Sequence, residues 1–389
     1  MKVGITVLKG VDIAIIHPHF DIVSGAEKLV LNDIAHFAEN NGVTVYTSGY
    51  DQSIPELFGI PMNGVTVVDK WLPHQSGRQT KFNFFVDFLY YAYCSNKNLV
   101  TGKHDVSLAY SVPSHYAKMD EIPHFWYCQE PIRSLYDTFG ETPAMKNVLL
   151  KHFIPHLRSF MVKIDKERAR RCKYIFTNSN YTSNYVKEIY TLPSSVIYPG
   201  IDLGSYYCAD PEGDIVLTVA RLIPEKRIDV LIEAMSIVNA TYPTVVLRVV
   251  GSGPEKSKLI RMSNDLGVNV EFIERVDDAS LRKFYASCFA VAYVPRREPF
   301  GYVPIEAMAS RKPVIGINEG GIGETIVHGK TGILTDGSDN QVASAVIELL
   351  NDHTMAAKMG DEGLKRSRIF SNVERFKRFD QLLASCLKA

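Results

Sequence analysis

The feature of this sequence that most constrains its fold is a regular alternation of short apolar segments with longer amphipathic ones. VDIAIIHPHF (11–20) predicts a buried strand, SGAEKLVLNDIAHFAENNG (24–42) has apolar residues at helical spacing, and VTVYTS returns to a strand. The alternation then continues through DVSLAYS (105–111), HFWYCQE (124–130), a basic helix around 144–172, and YIFTNS (174–179). Strands that alternate with helices predict a parallel sheet covered by helices.

This pattern stops and starts again near the middle of the chain. Around YPGIDLGSYYCADPEGD (198–214) Gly, Pro and Asp accumulate, and a second series of strands and helices begins with IVLTVAR at 215. A length of 389 residues also exceeds what one core usually serves. The sequence therefore predicts an α/β protein with two Rossmann-like domains, whose parallel sheets face each other across a cleft. The predicted boundaries are 1–200 and 201–370, with a helix at 371–389 that packs back toward the first domain.

Charge and cysteine usage narrow the classes of partner. Lys and Arg together number 43, as do Asp and Glu, so no global field attracts nucleic acid. Six widely spaced cysteines form neither a C-x-x-C motif nor a Cys/His cluster, which argues against a zinc site and a disulfide framework. No apolar run reaches the roughly 18 residues of a membrane span. We therefore expect a soluble, cytoplasmic protein without nucleic acid, metal or cofactor.

Two basic residues follow the first strand of the second domain. Arg221 comes directly after IVLTVA, and Lys226 lies five residues later in RLIPEKR. Ligands of open parallel sheets bind beyond the carboxyl ends of the strands. Two cations at such a strand end suit a diphosphate, although basic residues in turns are also commonly surface charge.

The stretch REPFGYVPIEAMASRKPVIG (297–316) combines a turn, a helix start and two glutamates. Glu298 precedes a Pro-Phe-Gly turn, and Glu306 lies on the helix that the turn opens. Free amides at a helix start bind anions or sugar hydroxyls, and carboxylates accept hydrogen bonds from vicinal diols. One such glutamate is explained by the helix dipole, but two are not. The amides predicted to bind an anion or sugar hydroxyls here are those of Phe300, Gly301, Tyr302 and Val303.

The matching turn of the first domain is PHFDIVSGAEK. Gly25 there allows a ligand to approach the backbone at a helix start, although a lone glycine at this place is more commonly a permissive turn. His17 and His19, at the end of the first strand, are placed to approach an acceptor, while an ordinary turn histidine is the alternative reading for each.

Together these motifs resemble glycosyltransferase family 4, the retaining nucleotide-sugar enzymes of GT-B fold. The resemblance includes VARLIPEKRIDVLIEA (219–234), EPFGYVPIEAMASRKPVIG and GGIGETIVHGKTGILT (320–335). HPHFDIVSGAEK, TNSNYTSNYV and VIYPGID also stand in family order at family spacing, so the resemblance covers nearly the whole chain.

The resemblance implies a role for each motif. Arg221 and Lys226 would hold the donor diphosphate, Glu306 the ribose, and Glu298 with the following amides the hexose, while the Gly25 amide meets the phosphates. It also implies transfer with retention and without metal, the leaving diphosphate helping to deprotonate the acceptor. One position departs from the family: Gln129 stands where many members carry a histidine, and it cannot carry a proton charge.

The donor and acceptor remain open at this stage. GDP-mannose and UDP-glucose are the expected donors, and lipid-linked oligosaccharides are the favoured acceptors, with other lipids and free sugars as alternatives. Two segments of the first domain suggest peripheral contact with a membrane: the aromatic KFNFFVDFLYYAY (81–93) and the basic KIDKERARRCK (163–173). The alternatives are a helix buried on both sides for the aromatic segment and an ordinary solvated helix for the basic one. The rival functions are a sugar-nucleotide epimerase of the same fold and a sugar-nucleotide-binding subunit with impaired catalysis.

Overall fold

The computed structural model describes residues 8–21, 24–69, 100–119, 121–137, 154–274 and 276–388. The aromatic segment 81–93 and the start of the helix predicted at 144–172 lie outside these ranges. The chain divides into two compact units, one of Met1–Tyr198 with Phe376–Ala389 and one of Pro199–Arg375. None of the helices in the described ranges combines the length and the hydropathy that a bilayer-spanning helix requires.

The first unit is built on a seven-stranded sheet. In chain order its strands are β1 Asp12–Ile16, β2 Gly42–Tyr46, β3 Val65–Val68, β4 Val106–Tyr110, β5 His124–Cys128, β6 Tyr174–Thr177 and β7 Ser194–Val196. They pair in parallel in the order β3, β2, β1, β4, β5, β6, β7. Strands β4 and β5 are buried along their whole length, which explains why most of their residues are apolar.

The helices of the first unit connect these strands. Within the described ranges they are α1 Gly25–Ala38, α2 Ser53–Leu57, α3 Arg133–Tyr136, α4 Ile154–Arg171 and α5 Asn180–Tyr190. Helix α1 begins where Ser24 Oγ accepts a hydrogen bond from the Ala26 amide (3.1 Å). Helix α5 has the same kind of cap, with Ser179 Oγ accepting from the Thr182 amide (3.0 Å).

The second unit has a six-stranded parallel sheet. Its strands are β8 Ile215–Val219, β9 Val246–Val250, β10 Val270–Ile273, β11 Ala290–Tyr293, β12 Val314–Ile317 and β13 Gly332–Thr335, in the order β10, β9, β8, β11, β12, β13. Its helices are α6 Ile228–Thr241, α7 Lys256–Asp265, α8 Asp278–Ser287, α9 Tyr302–Ala309, α10 Ile322–Thr325, α11 Asp339–Asn351 and α12 His353–Ser367. The predicted pair of parallel α/β sheets is confirmed.

The last helix, α13 (Asn372–Lys388), packs on the first unit through its aromatic residues. The Phe376 ring stacks on His36 with 4.2 Å between centroids. Phe379 is fully buried and meets Phe37 and Phe176 edge to face at 5.3 and 5.4 Å. Asp380 also lies 3.2 Å from the His36 ring nitrogen.

Strand order marks where each sheet can bind a ligand. In a doubly wound sheet the connections leave toward opposite faces at one point, and a crevice opens beyond the carboxyl ends of the strands there. That switch point lies between β1 and β4 in the first unit and between β8 and β11 in the second.

Candidate functional site

The switch point of the second unit gathers the residues that the sequence singled out there. Arg221 lies two residues beyond β8, and Lys226 ends a short 3-10 turn, Pro224–Lys226. Glu298 follows β11, and the helix α9 that carries Glu306 begins four residues later. Both chain segments leave the same edge of the sheet, because β8 and β11 are parallel neighbours.

Lys226 and Glu298, which the sequence assigned to separate parts of a donor, bind each other. Lys226 Nζ donates to Glu298 Oε2 at 2.5 Å, and only 17% of each side chain is exposed. The same ammonium donates to the Tyr293 hydroxyl at 3.3 Å and lies 5.7 Å from the centre of that ring. Because an ammonium has three N–H groups, one donor remains for a further acceptor.

Tyr293, the last residue of β11, is a candidate site residue that the sequence analysis did not single out. Burial raises its pKa well above the usual value of a phenol, and the charges of Glu298 and Glu306 raise it further, while Arg221 opposes them. The hydroxyl therefore stays protonated, and it accepts a hydrogen bond from Lys226 at 3.3 Å. The signal available was its position, a tyrosine at the carboxyl end of a buried strand just before the EPFG turn.

The Arg221 side chain is exposed and makes no hydrogen bond or ion pair with the residues that the structure describes. Its backbone is nevertheless fixed by the turn after β9. Leu222 N donates to Ser252 O at 2.8 Å, and Ala220 N to Val250 O at 3.1 Å. A Cβ on Gly251, which has φ +147°, would lie 1.9 Å from the Ala220 carbonyl oxygen, so only glycine allows this close approach.

The start of α9 has no side-chain cap. The N-cap is Gly301 with φ +81°, and this residue has no side chain to accept hydrogen bonds from the helix start. A Cβ there would come within 2.7 Å of Ile322 and 3.1 Å of the Tyr293 ring. The turn is also tied to the loop before α10, where the Gly321 amide donates to the Glu298 carbonyl at 2.8 Å. Phe300 and Val303 have buried side chains, so these residues present backbone.

Glu306 has two partners that the sequence did not suggest. Its Oε1 accepts from the Tyr206 hydroxyl at 3.0 Å, and its Oε2 accepts from the Tyr285 hydroxyl at 2.8 Å. The side chain is only partly buried. Each carboxylate oxygen therefore has a second lone pair for another donor.

The first unit carries a separate group of predicted residues at its own switch point. His17 follows β1 and is 2% exposed, and its Nε2 lies 3.9 Å from Oε1 of the buried Glu27. Burial lowers the pKa of His17, while Glu27 opposes that effect. Gly25 is exposed in the first turn of α1, beside Ser24, whose hydroxyl donates to Glu27. His19 is instead near the surface, 3.1 Å from Asp21.

Gln129, the departure from the family pattern, lies just beyond β5. Its Oε1 accepts from the Ser111 hydroxyl at 2.9 Å, which leaves the Nε2 group without a hydrogen-bond partner in the described part of the chain. The Ser111 carbonyl in turn accepts from the Trp126 indole at 3.1 Å. Gln129 is therefore held by Ser111, and its unpaired Nε2 group is buried.

The part of the chain that the structure describes contains no cluster of three or more His, Cys, Asp or Glu side chains arranged to hold an ion.

Comparison with known proteins relates most of the second unit to a described family. Residues 209–366 match the family model described as glycosyl transferases group 1. The GDP-mannose-dependent monoacylated alpha-(1-6)-phosphatidylinositol monomannoside mannosyltransferase of Corynebacterium glutamicum is 30% identical over 62% of this chain and 71% of its own length. Alpha-1,3/1,6-mannosyltransferase ALG2 of Homo sapiens is 26% identical over 90% of each chain.

Other similarities are shorter or concern the fold alone. The chain spans about half the length of two further relatives that it matches, 58% of one and 49% of the other. The crystal structure of Anabaena Alr3699/HepE in complex with UDP and glucose superposes with a TM-score of 0.71 at 20% identity, over 96% of this chain and 100% of that one. At this identity the likeness shows a shared fold.

Proposed function

Because the chain belongs to the group 1 glycosyltransferases, we propose that it transfers a hexose from a nucleoside-diphosphate sugar to an acceptor hydroxyl. The fold is GT-B, and the proposed donor site lies in the second unit. The observation that carries the proposal is the contact of Lys226 with Glu298 and Tyr293 at the switch point, where the charges of Arg221 and Glu306 also shift the pKa of Tyr293.

The diphosphate is assigned to the two cations. Arg221 is exposed and has a guanidinium fork that suits phosphate oxygens, and Lys226 has one N–H beyond those used by Glu298 and Tyr293. The amides at the start of α9 add donors and the positive end of the helix dipole. These groups stabilise the negative charge that grows on the leaving diphosphate.

The two carboxylates are assigned to the sugars of the donor. Glu298 accepts from hexose hydroxyls beside the amides of Gly301 and Tyr302, and Glu306 accepts from the ribose hydroxyls. The bond between the anomeric carbon and the diphosphate oxygen breaks, and the acceptor oxygen bonds to that carbon on the same face. The acceptor proton passes to the departing phosphate oxygen, so transfer proceeds with retention and needs no protein nucleophile or metal.

The proposed donor is GDP-mannose and the proposed acceptor is a lipid-linked glycan. Support comes from the relatives, one of them named a GDP-mannose-dependent enzyme acting on a phosphatidylinositol mannoside and another an alpha-1,3/1,6-mannosyltransferase. UDP-glucose stays the alternative donor. We infer a cytoplasmic protein that contacts the membrane peripherally, where such acceptors reside. Donor binding by Gly25 and Gln129 and acceptor binding by His17 and His19 remain predictions.

A second candidate function rests on Gln129 alone. If Gln129 cannot replace the family histidine, the protein binds the sugar nucleotide without transferring it. The epimerase alternative is not favoured, because the family model and the relatives are glycosyltransferases.

The proposal is tested first by thermal shift with GDP-mannose, UDP-glucose and the free nucleotides. A ligand at 100 times its dissociation constant stabilises the folded state by about 2.7 kcal/mol. Transfer from the stabilising donor to a polyprenyl-linked or phosphatidylinositol-linked glycan is then measured. Binding together with transfer supports the enzyme, binding without transfer or donor hydrolysis supports the second candidate, and no binding of any nucleotide contradicts both.

Two substitutions test the assigned cations. Arg221→Ala and Lys226→Ala should each lower turnover by roughly two to three powers of ten, as removal of a preorganised contact to developing charge does. Arg261 and Lys358 are exposed, and their side chains make no hydrogen bond or ion pair within the described ranges, so they provide matched alanine controls in the same unit. Near-normal turnover in Arg221→Ala and Lys226→Ala would contradict the assignment.

A further inference from the structure

The carboxylate of Glu306 is held from both sides by tyrosine hydroxyls. Tyr206 lies in the loop before β8, Tyr285 lies on α8, and Glu306 lies on α9, so three separate elements meet at one carboxylate. The hydroxyls donate to different oxygens, Tyr206 to Oε1 at 3.0 Å and Tyr285 to Oε2 at 2.8 Å.

Both tyrosines are permanent donors. Burial raises the pKa of Tyr206 and of Tyr285 well above the ordinary value of a phenol, and the negative charge of Glu306 raises each further. Tyr285 is fully buried, so its hydroxyl has little freedom to turn elsewhere.

The two hydrogen bonds restrict the terminal side-chain torsion of Glu306. The terminal torsion of a glutamate is broad, so an unsupported carboxylate samples many orientations. With one tyrosine on each oxygen, the plane of the carboxylate is set, and one lone pair on each oxygen is left for another donor. Two free lone pairs on adjacent oxygens match two neighbouring hydroxyls.

We infer that Tyr206 and Tyr285 are positioning residues, which hold Glu306 in the orientation that reads a vicinal diol and so select ribonucleoside over deoxyribonucleoside diphosphates. This inference rests on the proposed function, since it requires that Glu306 meets the ribose. It adds that the selection depends on the two tyrosines as well as on the glutamate.

The test is calorimetric titration of the full chain with GDP, 2′-deoxy-GDP and 3′-deoxy-GDP, and with the same uridine series. The wild type is expected to bind the deoxy forms at least about tenfold more weakly, as loss of a hydrogen bond to a charged group predicts. Tyr206→Phe, at a partly buried position, is the primary variant, and Tyr285→Phe is the second. Each should reduce the ratio of ribo to deoxy affinity by about threefold or more. Tyr207→Phe, whose side chain is 50% exposed, is the matched control and should keep the ratio.

The readout separates positioning from general stability. If a tyrosine has only a structural role, its substitution lowers the affinity for ribo and deoxy nucleotides by the same factor. An unchanged ratio of ribo to deoxy affinity in a folded Tyr206→Phe protein therefore overturns the inference. A wild type that binds nucleotides without preferring ribose also overturns it, while the proposed function stands. Failure of the wild type to bind any nucleotide overturns the proposed function itself.

Discussion

Removing the Lys226 ammonium separates its two roles, holding Glu298 and holding a diphosphate. In Lys226→Met the Glu298 carboxylate loses a donor at 2.5 Å in a place where only 17% of each side chain is exposed. A hydrogen bond between charged groups contributes about 1.5–3 kcal/mol, and this low exposure limits screening by solvent. We expect a loss of about 2 kcal/mol in the unfolding free energy of the unit Pro199–Arg375. That corresponds to a melting temperature lower by about 4–8 °C.

Glu298→Gln completes a double-mutant cycle with this variant. When both charges are removed, neither is left unpaired. The loss of unfolding free energy in the double variant should therefore be smaller, by about 1–2 kcal/mol, than the sum of the losses in the two single variants. Turnover should not recover in the double variant, because the diphosphate still lacks its cation. Arg311→Met is the control, since it breaks an ion pair with Asp361 in which both side chains are about half exposed and should cost less than about 1 kcal/mol.

The cycle is measured by calorimetric melting and by single-turnover transfer from the donor that the binding screen identifies. Recovery of turnover together with stability in the double variant would show that Lys226 acts only by neutralising Glu298. That result would refute a direct contact between Lys226 and the diphosphate.

Three further outcomes follow from the same structure. Gly251→Ala should displace the Ala220 carbonyl and weaken donor binding, whereas Gly267→Ala, which meets nothing within 4 Å, should cost stability only; equal donor affinities would contradict this. Burial, followed by the charge of His115, lowers the pKa of His124 from 6.5 to about 4. As the pH falls below 6.5, His124 binds a proton in the unfolded chain but not in the folded chain. Its contribution should therefore lower the unfolding free energy of the wild type by about 2–3 kcal/mol from pH 7 to 4.5. In denaturant titrations the unfolding free energy of His124→Gln should fall less between pH 7 and 4.5 than that of the wild type. The same fall in both proteins would contradict this prediction. Chelator should leave transfer intact, and loss with rescue by magnesium would contradict the metal-free mechanism.

The fold was predictable because buried parallel strands are encoded locally. A strand such as β4 or β11 is covered on both faces, so it appears as an apolar run whatever its neighbours are. Helix starts were equally local, since Ser24 and Ser179 cap helices only two or three residues away. The order of the strands was not predictable in this way, because pairing joins segments that are distant in the chain.

The sequence predicted the position of the candidate site but not its internal contacts. Arg221 and Glu298 were selected because ligands of parallel sheets bind where strands end and helices begin. The partner of Glu298 lies 72 residues away at Lys226, and that of Glu306 lies 100 residues away at Tyr206. No local pattern encodes such pairs. Tyr293 was missed for the related reason that its role depends on what surrounds it.

The central claim is that the second unit grips a diphosphate with Arg221, Lys226 and the start of α9. A crystal structure with bound GDP or UDP tests it directly. We expect phosphate oxygens at about 2.7–2.9 Å from the Arg221 guanidinium and the Lys226 ammonium, with the ribose on Glu306. A nucleotide bound elsewhere, or one whose phosphates leave both cations untouched, would contradict the account.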